Sequence, residues 1–363
     1  MEKKILFLII IVISILCVLA LVLGLVFGLR KEDEEDSNET GVLNSYDNTE
    51  ELKKKYPTNN PTKIINNLES NIQNRLLTGF ENWNRGFETW KAWGNILYTN
   101  ESRYNVHGVR LSLASYQNAM DISLQQQTII MGDFHNMLIT GEFAAIHYDF
   151  YSGTQEPLTK LRVMEFVRFT DYGGNLGTRV VEGWGSTKDD SAEGLKNFQA
   201  DKEKAEQEAQ DNYITNYFIP ESDDLKVKYI IKNPTVYIDT NAKDILEILL
   251  KGFDSWNKGI ESFKEWINEA YDSNAISSSL EEKDRTMEEY KNNLTELFKT
   301  QTIKKLYFEN ILIRDNWAAL HYRFRNKTVG NDEKIDTGDR MEFFKFKEIE
   351  GKLKITGFNN NLF

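Results

Sequence analysis

Cysteine is nearly absent: the 363 residues contain one, Cys17, inside an apolar N-terminal run, so no disulfide can staple the rest of the chain in any compartment. Histidine is also scarce. His107, His135, His147 and His321 stand without an HExxH pair, a Cys/His pair or an acidic loop of EF-hand spacing, so no metal site is expected. The sequence lacks GxGxxG, a P-loop and GxSxG, which disfavours dinucleotide enzymes, NTPases and serine hydrolases of the usual kinds, and no cofactor is expected. Positive charge is in deficit, 44 Lys and Arg against 56 Asp and Glu for a net charge of −12. No dense basic cluster with interleaved aromatics offsets that balance, which argues against nucleic acid as a partner.

Aromatics are plentiful, with 21 Phe, 16 Tyr and 7 Trp. Their arrangement repeats. Ala144–Phe150 (AAIHYDF) returns as Ala318–Phe324 (AALHYRF), and Gly79-Phe80, Trp83-Asn84, Gly86, Lys91 and Trp93 return as Gly252-Phe253, Trp256-Asn257, Gly259, Lys264 and Trp266. Met164-Glu165-Phe166 likewise returns as Met341-Glu342-Phe343. The spacing between copies is that of a whole domain, whereas solenoid units recur every ~20–50 residues. The chain therefore contains a duplication, each copy burying its own core.

In chain order, residues 1–4 form a short tail, and Ile5–Leu29 is an uncharged run long enough to cross a hydrocarbon core of ~30 Å. A signal peptide has an apolar region of only ~7–15 residues, so a retained single-pass span partnered by the bilayer is the expectation. Lys3 and Lys4 on one side are balanced by Arg30 and Lys31 on the other, and the orientation favoured places the C-terminal domains outside the cell or in a lumen. Asn-x-Ser/Thr sequons start at Asn38, Asn100, Asn293 and Asn326. With 34 Asn and 42 Ser plus Thr, about four arise by chance, so they decide nothing about topology. Residues 30–61 are polar and acidic, ending with Pro57 and Pro61, and read as a flexible stalk.

From Thr62, a plausible N-cap, Ile64, Leu68, Ile72, Leu76, Phe80, Trp83, Phe87 and Trp90 recur at helical spacing, which is the pattern of core packing. A second helix is expected near Leu111–Gln126, then strands Thr128–Ile139, Phe143–Tyr151, Leu161–Phe169 and Arg179–Gly185. Thr140-Gly141-Glu142 and Arg314-Asp315-Asn316 mark hairpins. Residues 191–239 separate the copies, with a charged, solvated helix over Ala192–Gln210 and a strand-like Val227–Ile231. Helices before an antiparallel sheet in each copy give an α+β class.

A helix with Phe80-x-x-Trp83-Asn84-x-Gly86, an aromatic segment ending His107-Gly108, and a sheet ending Arg179-Val-Val-Glu-Gly-Trp184 resemble the SnoaL-like branch of the NTF2-like superfamily. The resemblance covers residues 62–190 directly and residues 240–363, the divergent second domain, through the repeat. It implies two tandem cones, each a curved antiparallel sheet wrapped round a long helix with an apolar pocket inside. It also implies sheet-face pairing, of domain 1 with domain 2 or in a homodimer, and functions ranging from cyclases, isomerases and dehydratases to noncatalytic binding and scaffolding domains.

Strand alternation puts His147 and Asp149 on one face of AAIHYDF, where they could act as a base and its orienting partner. The same face carries His321 and Arg323 in the second copy, so a mechanism needing the acid is not shared, and an outward or inter-copy packing face is the competing reading. His107, before Gly108, is either a pocket or a turn residue. In the pocket that the resemblance implies, Tyr104, Glu165, Arg168, Trp184, His321 and Glu342 are candidate ligand contacts. The family's acid after the final Trp would be Asp189; the second copy has Phe358 and then Asn359–Asn361 there. The leading expectation is a membrane-anchored, noncatalytic module that binds a small apolar ligand or a protein. The alternative is a cofactor-free lyase or isomerase working in the first pocket.

Overall fold

The computed structural model describes residues 49–61, 63–106, 108–174, 177–186, 192–233, 241–279, 284–330 and 335–360. Ile5–Leu29, Thr62, His107 and Asp189 lie outside the described residues. Among the described residues, no helix is long and apolar enough to cross a membrane.

The aromatic stripe that opens each half is carried by two helices rather than one. In the first half α2 (Asn67–Asn84) is capped by Asn66, whose side chain accepts from the Glu69 N–H, and it buries Ile72, Leu76, Phe80 and Trp83. The chain then breaks at Gly86, with φ 118°, before α3 (Phe87–Leu97). A side chain rarely tolerates that backbone, which explains why glycine returns at the equivalent break, Gly259, with φ 122°. There α8 (Ala242–Lys258) gives way to α9 (Ile260–Ala270).

Each half builds a seven-stranded sheet. The first contains β1 (Thr58–Pro61), β2 (Tyr98–Val106), β3 (Val109–Ser112), β4 (Thr128–Thr140), β5 (Phe143–Gly153), β6 (Thr159–Asp171) and β7 (Thr178–Ser186), in the order β1-β4-β5-β6-β7-β2-β3. The second contains β8 (Ile231–Asn233), β9 (Tyr271–Ser279), β10 (Asp284–Thr286), β11 (Gln301–Arg314), β12 (Trp317–Thr328), β13 (Ile335–Ile349) and β14 (Lys352–Asn360). Read from its β8 edge, its order is β8-β11-β12-β13-β14-β9-β10, strand for strand the same arrangement. The central hairpins turn on Gly141, with φ 58°, and on Asp315 and Asn316, with φ 50° and 62°. Both are positive, the geometry of a two-residue turn matched to strand twist.

The recurring Trp-Asn pair has a structural purpose. Trp83 Nε1 donates to the Ile129 carbonyl at 3.1 Å, and Trp256 Nε1 to that of Ile303 at 3.0 Å. Asn84 both donates to and accepts from the Met131 backbone, at 2.9 Å each way, and Asn257 does the same at Lys305. Register shifts follow Met131 and Lys305, so the asparagine satisfies backbone groups that the hairpin ladder leaves free.

The boundary of the stalk moves. Thr49–Lys55 is a helix, α1, and β1 runs parallel to β4, so residues 49–61 belong to the first half. Leu52 and Tyr56 are buried there, and the Tyr56 hydroxyl and Lys55 both donate to Glu81. The same parts recur in the separating segment as α7 (Leu225–Lys228) and β8, with Lys228 and Tyr229 on Asp254. The strand expected over Val227–Ile231 is thus a short helix followed by β8. Nor is the charged helix only solvated. Its longer segment, α6 (Asp201–Asn216), buries Gln207, which accepts from Arg110 N at 2.6 Å and donates to the Gly108 carbonyl.

The two sheets meet face to face. Leu138, Ala145, Met164, Phe166 and Trp184 form one apolar cluster with Leu312, Ala319, Met341 and Phe343. The opposite sheet faces carry Ala144, Ile146 and Tyr148, or Ala318, Leu320 and Tyr322, into the helix-covered cores.

Candidate functional site

The helix-covered core of the first half is incompletely filled. A cavity of about 70 Å³ lies between α2, α3 and the concave sheet face, bordered by Phe80, Trp83, Trp90, Tyr104, Tyr148 and Glu165 among others. At ~30 Å³ per liquid water, it has room for a few heavy atoms. Strand alternation on β5 and β6 aims Tyr148 and Glu165 inward. Glu165 Oε1 accepts from the Tyr104 hydroxyl at 2.7 Å and from that of Tyr148 at 2.9 Å. Tyr104 stacks on Tyr116 with ring centroids 4.1 Å apart. Its ring lies over Gly183 and Gly185 of β7, where a Cβ on Gly183 would come within 2.6 Å of it.

Burial raises the Glu165 carboxyl above the usual range, although the two tyrosine hydroxyls pull it the other way. Burial, and next the Glu165 charge, push Tyr104 and Tyr148 well above the ordinary phenol value. Glu165 is nonetheless only partly buried by solvent exposure, because its side chain borders the cavity. The Trp93 indole N–H, beside the same cavity, is buried without a partner, whereas its counterpart Trp266 donates to the Ile248 carbonyl.

The second half places the same framework round a different centre. Phe253, Trp256, Phe263, Tyr322 and Glu342 stand where the first half has Phe80, Trp83, Trp90, Tyr148 and Glu165. Met131 is replaced by Lys305. Its ammonium lies 4.6 Å from the ring centres of both Trp256 and Tyr322, 5.1 Å from that of Phe253, and 3.9 Å from Glu342 Oε2. Tyr322 donates to Glu342 at 3.1 Å. Burial drives Lys305 down to about 8, with the Glu342 charge opposing that fall, so at neutral pH it remains a cation.

The His147–Asp149 pair does not assemble. Both side chains are buried on the face that meets the other sheet, away from the cavity, and they bond to different partners. His147 Nδ1 meets Asn136 at 3.1 Å and its ring stacks on Phe343; burial, then the His135 and Arg162 charges, hold it well below its ordinary value and neutral. Asp149 instead takes His135 Nε2 at 2.7 Å and Lys160 at 3.0 Å. His321 is no pocket residue either: it bonds Asn310 and Asp339 and lies against Phe166 and Trp184. The change from Asp149 to Arg323 is one of three coupled changes. His135, Asp149 and Arg162 are matched by Glu309, Arg323 and Asp339, so the Asp149 and Arg162 charges invert together and each set stays paired.

Of the remaining candidates, Tyr104 and Glu165 line the cavity, and Glu342 lies at the equivalent place in the second half. Trp184 is in the cluster between the sheets, and Arg168 is paired with Glu182 outside the cavity. His107 and Asp189 lie outside the described residues. Sequence reasoning passed over Lys305. The signal was present in the aligned repeat, where Gln127-Thr-Ile-Ile-Met131 becomes Gln301-Thr-Ile-Lys-Lys305, a charge at an inward-facing position. A larger surface groove, about 580 Å³, runs past Ile219–Asp223; of the charges lining it, Asp254 is engaged by Lys228 and Lys258, and Lys304 donates to the Asn257 carbonyl.

No family model matches the sequence, and no curated protein sequence matches it. Among solved structures the chain is similar to a candidate SnoaL-like polyketide cyclase from Jannaschia sp. CCS1, with 13% identity, 34% of this chain and 89% of that one covered, and a TM-score of 0.29. It is also similar to a ketosteroid isomerase-like protein from Erwinia carotovora atroseptica SCRI1043, with 10% identity, 34% and 97% coverage, and a TM-score of 0.28. An NTF-2 like protein of unknown function from Shewanella oneidensis MR-1 matches with 15% identity, 34% and 100% coverage, and a TM-score of 0.26. Likeness at this level assigns no activity to the chain.

Proposed function

We propose that the chain is a tandem NTF2-like protein whose first half is a small-ligand-binding module and whose second half is its structural partner. The observation that carries this reading is the asymmetry of the two concave sites: one contains a cavity bordered by a carboxyl group, the other is filled by Lys305. The ligand is compact, largely apolar, and carries one polar group that reaches Glu165. The Ile5–Leu29 run would present this module at a membrane, with the two halves outside the cell or in a lumen.

The test is a thermal-shift titration of the full chain in detergent with compact probes such as ethanol and 1-propanol. Saturable stabilisation is expected in the wild type and not in Met131→Phe, which fills the cavity. Equal shifts in both proteins, or none in either, would remove the reading. A second reading, cofactor-free proton transfer, is favoured by the Glu165 carboxyl raised by burial and open to the cavity. In that case Glu165→Gln retains ligand but loses exchange of the ligand's acidic C–H for deuterium; exchange that persists in the variant excludes Glu165 as the base.

A further inference from the structure

The second half shows what the shared framework holds when it is full. Lys305 threads a primary ammonium into a cage of aromatic faces with a carboxylate at its edge, a standard means of stabilising an organic cation away from water. In the first half Phe80, Trp83, Trp90, Tyr148 and Glu165 repeat that cage, and the residue at the lysine position is Met131, which ends short of it and borders the cavity. Arg340, whose charge opposes Lys305 in the second half, is replaced by Val163, the residue equivalent to it in strand register.

We propose that the open cavity of the first half binds a small alkylammonium ion, its charged head occupying the place that Lys305 Nζ takes in the second half. This names the ligand class of the site proposed above and rests on that reading. The ionisable groups facing the cavity are Glu165, Tyr98, Tyr104, Tyr116, Tyr148 and Arg75. Glu165 supplies the compensating negative charge, and the four phenols present ring faces or neutral hydroxyls. Arg75, whose counterpart is Ile248, acts against a cation, which limits the ligand to a single charge placed at the Glu165 end. Burial lowers Arg75 from its ordinary value, with Arg179 adding to the effect.

The test is calorimetric titration of the full chain in detergent with n-propylammonium chloride, using 1-propanol as the neutral isostere and sodium chloride as the salt control. One saturable site per chain is expected for n-propylammonium, at least about tenfold tighter than for 1-propanol. Met131→Lys should abolish the site by supplying the internal ammonium. Lys305→Met should open the second cage and raise the stoichiometry to two. This gain-of-site variant keeps the test decisive if Glu165→Gln, expected to weaken n-propylammonium by about tenfold or more, fails to fold. Equal affinity for propanol and propylammonium would overturn the ammonium proposal while leaving the cavity a ligand site. Binding of neither probe, with Lys305→Met still silent, would overturn both.

Discussion

A buried lysine among aromatic rings is a strained choice for a core, and Lys305 carries a measurable sign of it. Its pKa falls from 10.5 to about 8, chiefly through burial. Because the folded value lies below the unfolded one, the unfolded chain holds a proton between those values that the folded chain has released. Raising the pH through that window therefore favours the fold, and below about pH 8 the full penalty is present. A shift of this size corresponds to ~3 kcal/mol. Relative to Lys305→Met, the wild type should gain up to ~3 kcal/mol between about pH 8 and 10.5, read from urea unfolding of both proteins across that range. A difference that stays flat with pH would show that Lys305 is not buried as a cation. Tyrosine titration occurs in both proteins and cancels in the comparison.

At the scale of strands and helices, the two halves fill the same volume by different routes. In the first, the Tyr104 ring on β2 covers Gly183 on β7; in the second, Ser277 on β9 faces Phe358 on β14, and the ring comes from the opposite strand. Phe358 meets Tyr290 edge to face, where Tyr104 stacks on Tyr116. The pairs should therefore be coupled. Gly183→Ala alone is expected to cost ~1–3 kcal/mol by driving a Cβ into Tyr104, and to cost much less on a Tyr104→Ser background. A thermal-denaturation cycle should return a coupling of ~1 kcal/mol or more, and strict additivity would contradict it.

This exchange also marks how far the sequence could be read. Helical spacing and strand alternation report which residues share a face of an element, so the helices and the hairpins were legible, but not which face of Ala144–Phe150 turns inward. Compensation between strands is not local. Ser277 and Phe358 each look like an unrelated divergence until the register pairs them, and so do Glu309, Arg323 and Asp339. Residues 49–61 were misjudged for a related reason. Their composition is that of a stalk, and only the burial of Leu52 and Tyr56 and the parallel pairing of β1 with β4 bring them into the fold.

For the whole molecule, the sheet-to-sheet contact gives His147 and His321 a packing role. Each imidazole fills the boundary between the halves and bonds to an Asn on the neighbouring strand. Among the described residues, a fully buried ion pair crosses that boundary: Arg314, at the tip of β11, reaches Glu69 at 3.2 Å and the Lys63 carbonyl at 2.6 Å. Glu69 and Arg314 are 0% and 1% exposed, so removing either leaves a charge without compensation. Arg314→Leu is expected to destabilise the chain by ~3–5 kcal/mol in urea unfolding, and a loss below about 1 kcal/mol would show the halves to be held by apolar packing alone.

The central claim, that one half is open and the other filled by its own lysine, is tested most directly by a crystal of the protein under xenon pressure, since xenon enters apolar cavities of this kind. The expected result is a single xenon peak between Trp83, Trp90 and Tyr148, with ordered Lys305 density and no xenon among Trp256, Phe263 and Tyr322. Xenon at both sites, or at the second alone, would contradict it.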